Sequence, residues 1–370
     1  LLLLLFIKYF NLKMKKKIVI LGSTGSIGIK TFNIFKKDKK NFQIVLLSTN
    51  SNLKKIINQV TDLKVKNIII NNKYIFNLAK KNKKLKKVNV YNSFEELDKI
   101  IKTKNIYYSM ISITGLDGLK PTIFLSKFSK NLAIVNKESI ICGWDLIKKK
   151  LKKYKTNFLP IDSEHYSIFT LLKNYNSDDL EKIYITASGG PFLDYPKNKF
   201  KQISLKNALN HPNWKMGKKI SIDSSTMMNK LFEVIEAKKI FNLSYKKIKI
   251  LIHPKSYIHA LVKFNNGITK ILLHEPNMKI PVHNSIYHND NKELKTKEID
   301  FKILNKLDFR NVDYKKFPLV RILNILPKND TLFETVLISI NDFFVSVYLK
   351  KKINYKKLVN LINYYFHNKI

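Results

Sequence analysis

The sequence holds a single cysteine, Cys142. An internal disulfide is thereby excluded, and a reducing compartment fits. No base is suggested near it, so it is not assigned a nucleophilic role. Long apolar runs are also missing. Leu1 to Ile7 is apolar but far short of the roughly 20 residues that span a bilayer. It has no basic flank before it and no small-residue cleavage site after it, so it does not read as a secretory signal. Metal-ligand patterns of the zinc type are absent: His253 and His259 have the wrong spacing and no partner cysteines. They read as structural residues of a sheet, as do His274, His283 and His288. No internal repeat is present.

Acidic residues are scarce. The 27 Asp and Glu stand against 69 Lys and Arg, for a net charge of +42. Taken literally, that predicts nucleic acid or an anionic membrane as partner. However, Gly and Ala are also scarce, while Lys, Asn, Ile, Phe and Tyr are inflated together. Their codons are A/T-rich, so a biased genome explains the excess. The lysines are spread along the whole chain rather than gathered in one block. No nucleic-acid and no membrane partner is therefore expected. Anionic small molecules should still be drawn in, less so at high salt.

With 370 residues and 45% apolar content, two or three globular domains are expected. Met14, with Lys15 to Lys17 and strand-like Ile18 to Leu21 behind it, reads as the natural start. Residues 1–13 read as an upstream extension, with a degenerate targeting peptide as the lesser reading.

Ile18 to Leu21 is a short apolar run of the kind that forms buried parallel strands. Gly22-Ser-Thr-Gly-Ser-Ile-Gly28 follows, and Ile29 to Phe35 is helical by pattern. Strand, glycine turn and helix form the context of a dinucleotide-binding loop. The second strand, Phe42 to Ser48, ends in Thr49, Asn50 and Ser51, with Lys54 and Lys55 beyond. No carboxylate is there to repel a 2′-phosphate, which favours NADPH over NADH. Further strands over 67–70, 87–91, 107–113 and 131–135 alternate with helices or loops. That alternation predicts a doubly wound α/β domain over 14–160.

Asn136-Lys-Glu-Ser139 ends one strand, where ligands of such sheets bind. Asp162 and Glu164, two apart in Leu159 to His165, point to one side if the segment is extended. Such a pair suits a hard divalent cation such as Mg²⁺ or Mn²⁺; a solvated loop is the plainer alternative. Ala187-Ser-Gly-Gly-Pro-Phe192 follows another strand and forms a turn whose N–H groups can cradle phosphate.

His211 to Lys238 is the densest polar stretch. It reads as a mobile loop feeding a strand, a turn and a helix. Asp223, Ser224, Ser225 and Thr226 stand where helix caps belong, and such an end attracts anions. Asn229, Lys230 and Glu233 share one helix face. Trp214, among lysines and beside Gly217, suggests a lid that closes over ligand. Residues 289–312 are polar and linker-like, and 313–370 are helical and aromatic-rich.

The motifs GSTGSIG, NKES, DSEH, ASGGPF, HPNWKMGKKISIDSSTMMNK, EVIEA, IHPKSYIHALV and EPNMKIP occur in that order. In them the chain resembles the 1-deoxy-D-xylulose 5-phosphate reductoisomerase family, over about residues 16–288 and more loosely in the tail. The resemblance implies an α/β enzyme: a Rossmann-like NADPH domain, a central catalytic and dimerisation domain over 161–288 with a lid at 210–220, and a C-terminal helical domain. It implies NADPH- and divalent-metal-dependent conversion of 1-deoxy-D-xylulose 5-phosphate to 2-C-methyl-D-erythritol 4-phosphate, with Mg²⁺, Mn²⁺ or Co²⁺. Asp162, Glu164 and Glu233 would ligate the metal. Ser163, Ser188, His211, Ser224, Asn229 and Lys230 would hold substrate. Lys137 would also touch substrate, with Glu138 beside it, and Trp214 would cover the substrate; these three and His211 would be the catalytic residues. Thr24, Gly25, Ser26, Ile27, Asn136 and Gly217 would meet NADPH, as would the Thr49-Asn50-Ser51 loop, which departs from the Gly-Lys-Asn arrangement of some members. A homodimer in a bacterial cytoplasm is implied, with a plastid-type organelle as the lesser possibility. The tail is expected to be shorter than usual. Leu231 and Phe232, replacing a smaller pair found in some members, are expected to affect packing alone. The rival readings are another metal-dependent NADP dehydrogenase and a basic binding protein that keeps the fold without catalysis. The acidic triad argues against the second.

Overall fold

A computed structural model describes residues 14–368 apart from 291 and 330. The expected upstream extension, 1–13, lies outside the described residues. The chain forms two compact units. One runs to Ser139 and includes Asp145–Ile161 and Met278–Lys292. The other comprises Ile140–Trp144, Asp162–Asn277 and the chain from Glu293 onward.

The first unit begins with β1 (Lys16–Leu21), α1 (Ser26–Lys37), β2 (Phe42–Thr49), α2 (Leu53–Leu63), β3 (Asn67–Ile70), α3 (Lys73–Lys81) and β4 (Asn89–Tyr91). It continues through β5 (Ile106–Ile111), α4 (Leu119–Phe128), β6 (Ser129–Ile134), α5 (Lys137–Tyr154) and β7 (Asn157–Pro160). The strand order is β4-β3-β2-β1-β5-β6-β7, and every pairing is parallel. Ile18 to Leu21 and Ile68 to Ile70 are fully buried, as continuous apolar strands covered on both faces must be. The order reverses between β1 and β5, which places the glycine loop after β1 at the topological switch point. β7 was not expected: it holds two apolar residues, Phe158 and Leu159, between an asparagine and a proline that demotes a strand reading.

The second unit carries α6 (Ser163–Leu171), β8 (Leu180–Ala187), α7 (Lys218–Ser225), α8 (Met228–Phe241), β9 (Ile248–Ile252), β10 (Ile258–Phe264) and β11 (Thr269–Leu273). After α9 (Lys279–Ile286), which belongs to the first unit, come α10 (Phe333–Leu349) and α11 (Tyr355–Asn368). The four-stranded sheet has the order β11-β10-β8-β9. Helix α8 is buried on nearly all sides. Val234 and Ala237 pack with the sheet, while Leu231, Phe232 and Ile235 pack with α10 and α11. A helix so enclosed should be apolar all round. Instead it buries Lys230, Glu233 and Glu236.

Three expectations need correction. Residues 218–222 are helical, not a strand. Asp162 and Glu164 are not on an extended segment: Asp162 caps α6 and accepts from the Glu164 N–H at 3.2 Å. The polar run 223–226 does not cap the next helix in the expected way. α8 starts from Met227, which takes a left-handed conformation (φ 63°). Thr226 Oγ1 still accepts from the Met228 N–H, at 3.4 Å. In the polar stretch 289–312, Arg310 pairs with Ile252 of β9, so its end is docked.

Candidate active site

The glycine loop of the first unit is drawn tightly onto the sheet. The Gly22 N–H donates to Ser48 Oγ at 2.8 Å, and Thr24 and Thr49 join hydroxyls at 2.6 Å. A Cβ on Gly28 would lie 2.2 Å from the Gly22 carbonyl oxygen, so only glycine lets α1 start this close to the loop. Gly25 and Ser26 are exposed and Ile27 is partly so, as are Asn50 and Ser51 at the end of β2. Thr49 is buried. The loop and helix start thus fit a dinucleotide pyrophosphate. Asn136 caps α5, and its amide also donates to the Ile113 and Gly115 carbonyls at 2.6 and 2.8 Å. Its side chain holds the loop that follows β5. Lys137 and Glu138 follow in the first turn of α5, both buried.

The remaining expected residues gather in the second unit. One oxygen from each of Asp162, Glu164 and Glu233 lies within 4.8 Å of the other two. Among the described residues this is the one such group of three. Lys230 Nζ donates to Glu164 Oε1 at 2.6 Å and also to Glu233. Asn229 Nδ2 donates to the other Glu233 oxygen at 2.5 Å, and Ser163 Oγ donates to Glu164. Burial works to lower the Lys230 pKa, but the charges and hydrogen bonds of Glu164 and Glu233 outweigh it and raise it. The all-oxygen donor set and its spacing fit a divalent cation.

His211 is fixed through both ring nitrogens. Nδ1 accepts from the backbone N–H groups of Asn213 and Trp214 at 3.1 and 3.0 Å. The proton of the neutral ring is therefore on Nε2, which donates to Ser188 Oγ at 3.0 Å. The Gly190 N–H donates to the same oxygen at 3.1 Å. The Ser188 hydroxyl proton is thus left to donate to a ligand. Burial, then the charge of Lys230, lowers the His211 pKa to about 4, so the ring is neutral at pH 7. Gly189 and Gly190 both have positive φ, and a Cβ on Gly190 would lie 2.7 Å from the Ser224 carbonyl oxygen. The Ser188 turn therefore rests directly on the end of α7 that carries Ser224.

Within 210–220, the segment expected to act as a lid, the irregular loop ends at Gly217. α7 takes over at Lys218, with exposed Gly217 as its N-cap. Asn213 Nδ2 anchors the loop to the Pro254 carbonyl at 2.6 Å and to Ser256 Oγ at 2.9 Å. The Trp214 ring lies 6.2 Å from that of His259.

Four residues here were not singled out for the site. His165 is fully buried, reaches the Glu233 carbonyl at 2.9 Å and has Nδ1 3.4 Å from Asp162. It thereby ties together the two chain segments that carry the acids. Its signal was present: it follows Asp162 by one helical turn. His259, read as purely structural, stacks on His274 at 3.8 Å and meets the Trp214 ring edge-on. Asn213 and Ser256 lie within the HPNW and IHPKSY motifs, but nothing in those motifs shows that the two side chains meet.

Models of three domains match the chain: 1-deoxy-D-xylulose 5-phosphate reductoisomerase over 18–143, the C-terminal domain of that enzyme over 158–241, and the DXP reductoisomerase C-terminal domain over 273–369. The 1-deoxy-D-xylulose 5-phosphate reductoisomerase of Pelagibacter ubique is 57% identical over 94% of this chain and 90% of its own. That of Chloroherpeton thalassium is 35% identical over the same shares. A DOX-P reductoisomerase crystallised with NADPH, fosmidomycin and magnesium superposes with a TM-score of 0.89 at 30% identity, covering 96% of this chain and 90% of its own. The Zymomonas mobilis enzyme with NADPH gives 0.86 at 29%, covering 96% and 93%. With family models over most of its length and relatives matched nearly end to end, the chain belongs to the 1-deoxy-D-xylulose 5-phosphate reductoisomerase family and is an NADP-dependent oxidoreductase.

Proposed function

We propose that the chain converts 1-deoxy-D-xylulose 5-phosphate to 2-C-methyl-D-erythritol 4-phosphate through the residues described above. The observation that carries this is the acidic triad converging beside the Lys230 ammonium. Asp162, Glu164 and Glu233 hold the divalent cation, Mg²⁺ with Mn²⁺ or Co²⁺ as substitutes. Bound there, it supplies Lewis acidity to substrate oxygens, and NADPH supplies the hydride.

The chain's own groups bind and orient. Ser188, Ser224, Asn229 and Lys230 take the substrate phosphate, and Ser163 takes a substrate oxygen beside the cation. His211 donates from Nε2 and keeps Ser188 aimed as a donor. Lys137 and Glu138 serve the substrate from the first turn of α5. Thr24, Gly25, Ser26 and Ile27 hold the cofactor pyrophosphate, and Thr49, Asn50 and Ser51 lie at the ribose end. Asn136, which holds the loop after β5, also meets the cofactor, and Gly217 approaches it from the lid. Trp214 closes over the substrate and excludes water from the aldehyde intermediate. Remote phosphate contacts supply binding energy for that closure.

The NADPH-binding region takes 14–160, the catalytic region 161–288 and the helical region 313–370, with 289–312 between them. The enzyme works as a homodimer. Supporting this, edge strand β11 exposes Ile271 and Leu273 on one face, an apolar edge that a second copy would cover. A bacterial cytoplasm suits the single cysteine. No helix among the described residues is long and apolar enough to cross a membrane.

The test follows NADPH absorbance with 1-deoxy-D-xylulose 5-phosphate and Mg²⁺ or Mn²⁺. Metal-dependent oxidation with formation of the branched polyol phosphate is expected. Folded protein that turns over nothing would remove the reading.

A further inference from the structure

Helix α7 has a sequence that does not favour a helix. Lys218 to Ser225, KKISIDSS, contains three serines, an aspartate and two β-branched isoleucines, all weak helix formers. Its N-cap, Gly217, makes no side-chain capping bond. Eight such residues would not stay helical alone. The conformation must come from tertiary contacts, and α10 and α11 supply several of those on its polar groups.

Asn341, fully buried in the apolar helix α10, donates from Nδ2 to Asp223 Oδ1 at 2.8 Å. Asp223 is itself 2% exposed. Lys219 Nζ bridges Asp223 at 3.3 Å and Asp342 of α10 at 2.9 Å. Tyr355 of α11, also buried, donates to the Ser225 carbonyl at 2.7 Å, one of the carbonyls a helix end leaves open. Both ends of α7 are therefore held by the C-terminal helices. Between the last of these contacts and the site stands Ser224, whose carbonyl meets Gly190 of the Ser188 turn.

We propose that Asn341 and Tyr355 are positioning residues for the substrate phosphate. By keeping the end of α7 helical they set the place of Ser224 against Ser188. The C-terminal helices thus shape a binding site they do not touch. The inference rests on the reading of Ser224 as a phosphate ligand.

Three variants of the full chain test it: Tyr355→Phe, Asn341→Leu and Ser224→Ala. Tyr355→Phe removes one hydroxyl and keeps the packing, so it is the variant expected to remain folded. Losing one such bond should raise the KM for 1-deoxy-D-xylulose 5-phosphate about 5- to 10-fold. Mn²⁺ affinity, measured by titration without substrate, should stay within about 2-fold. Asn341→Leu should show the same split, more strongly. The exchange Asp223→Asn with Asn341→Asp, which reverses donor and acceptor, should recover much of the KM. A merely structural role would lower active fraction and metal affinity together and leave KM unchanged. Wild-type KM in Tyr355→Phe and Asn341→Leu, with a raised KM in Ser224→Ala, would overturn the positioning role alone. Wild-type KM in Ser224→Ala would instead remove the phosphate reading beneath it.

Discussion

The Lys230 ammonium lies 2.6 Å from the Glu164 carboxylate, although 66 positions separate the two in the chain. Glu233, one helical turn beyond Lys230, shares the same ammonium. A buried carboxylate needs such partners, because an uncompensated charge in the interior costs several kcal/mol. Each oxygen of the two carboxylates accepts one bond, from Lys230, Ser163 or Asn229, and a carboxylate oxygen can still offer a second lone pair to a cation.

Replacing Glu233 with Gln should therefore leave a folded protein with little activity. The amide can still meet Asn229, so the packing survives, but one anionic ligand is lost. Turnover should fall by about 100-fold or more, with weaker Mg²⁺ dependence. Steady-state kinetics over a metal titration, with circular dichroism as a fold control, would show this. Unchanged activity would mean that Glu233 is not a ligand.

His211 makes stability depend on pH. Its pKa falls from 6.5 in the unfolded chain to about 4 in the folded one, through burial and then Lys230. Above pH 6.5 neither state binds the proton, and the native state is not penalised. As the pH drops from 6.5 towards 4, the unfolded chain takes up a proton that the folded chain refuses. Stability should fall over that window by at most about 1.4 kcal/mol per pH unit. His211→Gln should flatten that part of the profile in urea melts. A variant with the same slope would assign the effect to other groups.

The sequence was most legible where local pattern and tertiary need agree. The glycine loop between β1 and α1 is set by sterics within a few residues, and Gly28 could be read directly. The shared face of Asn229, Lys230 and Glu233 followed from helical spacing alone. Segment 218–225 was misread because its β-branched and hydroxyl residues argue against a helix. Asn341 and Tyr355, over 100 positions downstream, decide the matter. Likewise, Asp162 and Glu164 meet through a cap and not through strand alternation, a distinction that spacing cannot draw. His165 was visible as a residue, but its bond to the Glu233 carbonyl depends on how α6 and α8 pack.

The excess of positive charge should appear in the kinetics. With +42 formal charges the protein's field attracts phosphorylated substrate and cofactor from beyond contact range. Raising the ionic strength from about 0.01 to 0.15 M shortens the screening length from about 30 to 8 Å. The kcat/KM for 1-deoxy-D-xylulose 5-phosphate should then drop several-fold, while kcat, measured at saturation, changes little. A kcat/KM that ignores salt would show that the lysines act only as solvated surface.

Gly28 offers the sharpest test of the cofactor site. A methyl group there would lie 2.2 Å from the Gly22 carbonyl oxygen and 2.6 Å from Ser23 Cα. Both are backbone atoms of a loop already tied to β2 by Gly22 and Ser23, so neither can swing aside as a side chain could. Gly28→Ala must push the start of α1 away from the loop. The N–H groups proposed to hold the pyrophosphate then separate. Overpacking of this kind costs about 1–3 kcal/mol in stability. The loss in NADPH affinity should be larger than that in metal affinity, because the acidic triad is carried by other segments. Fluorescence titration should show NADPH binding weakened by about 10-fold or more, with Mn²⁺ binding close to wild type. Equal loss of both ligands would point to general unfolding, and intact NADPH binding would show that the cofactor does not use this loop.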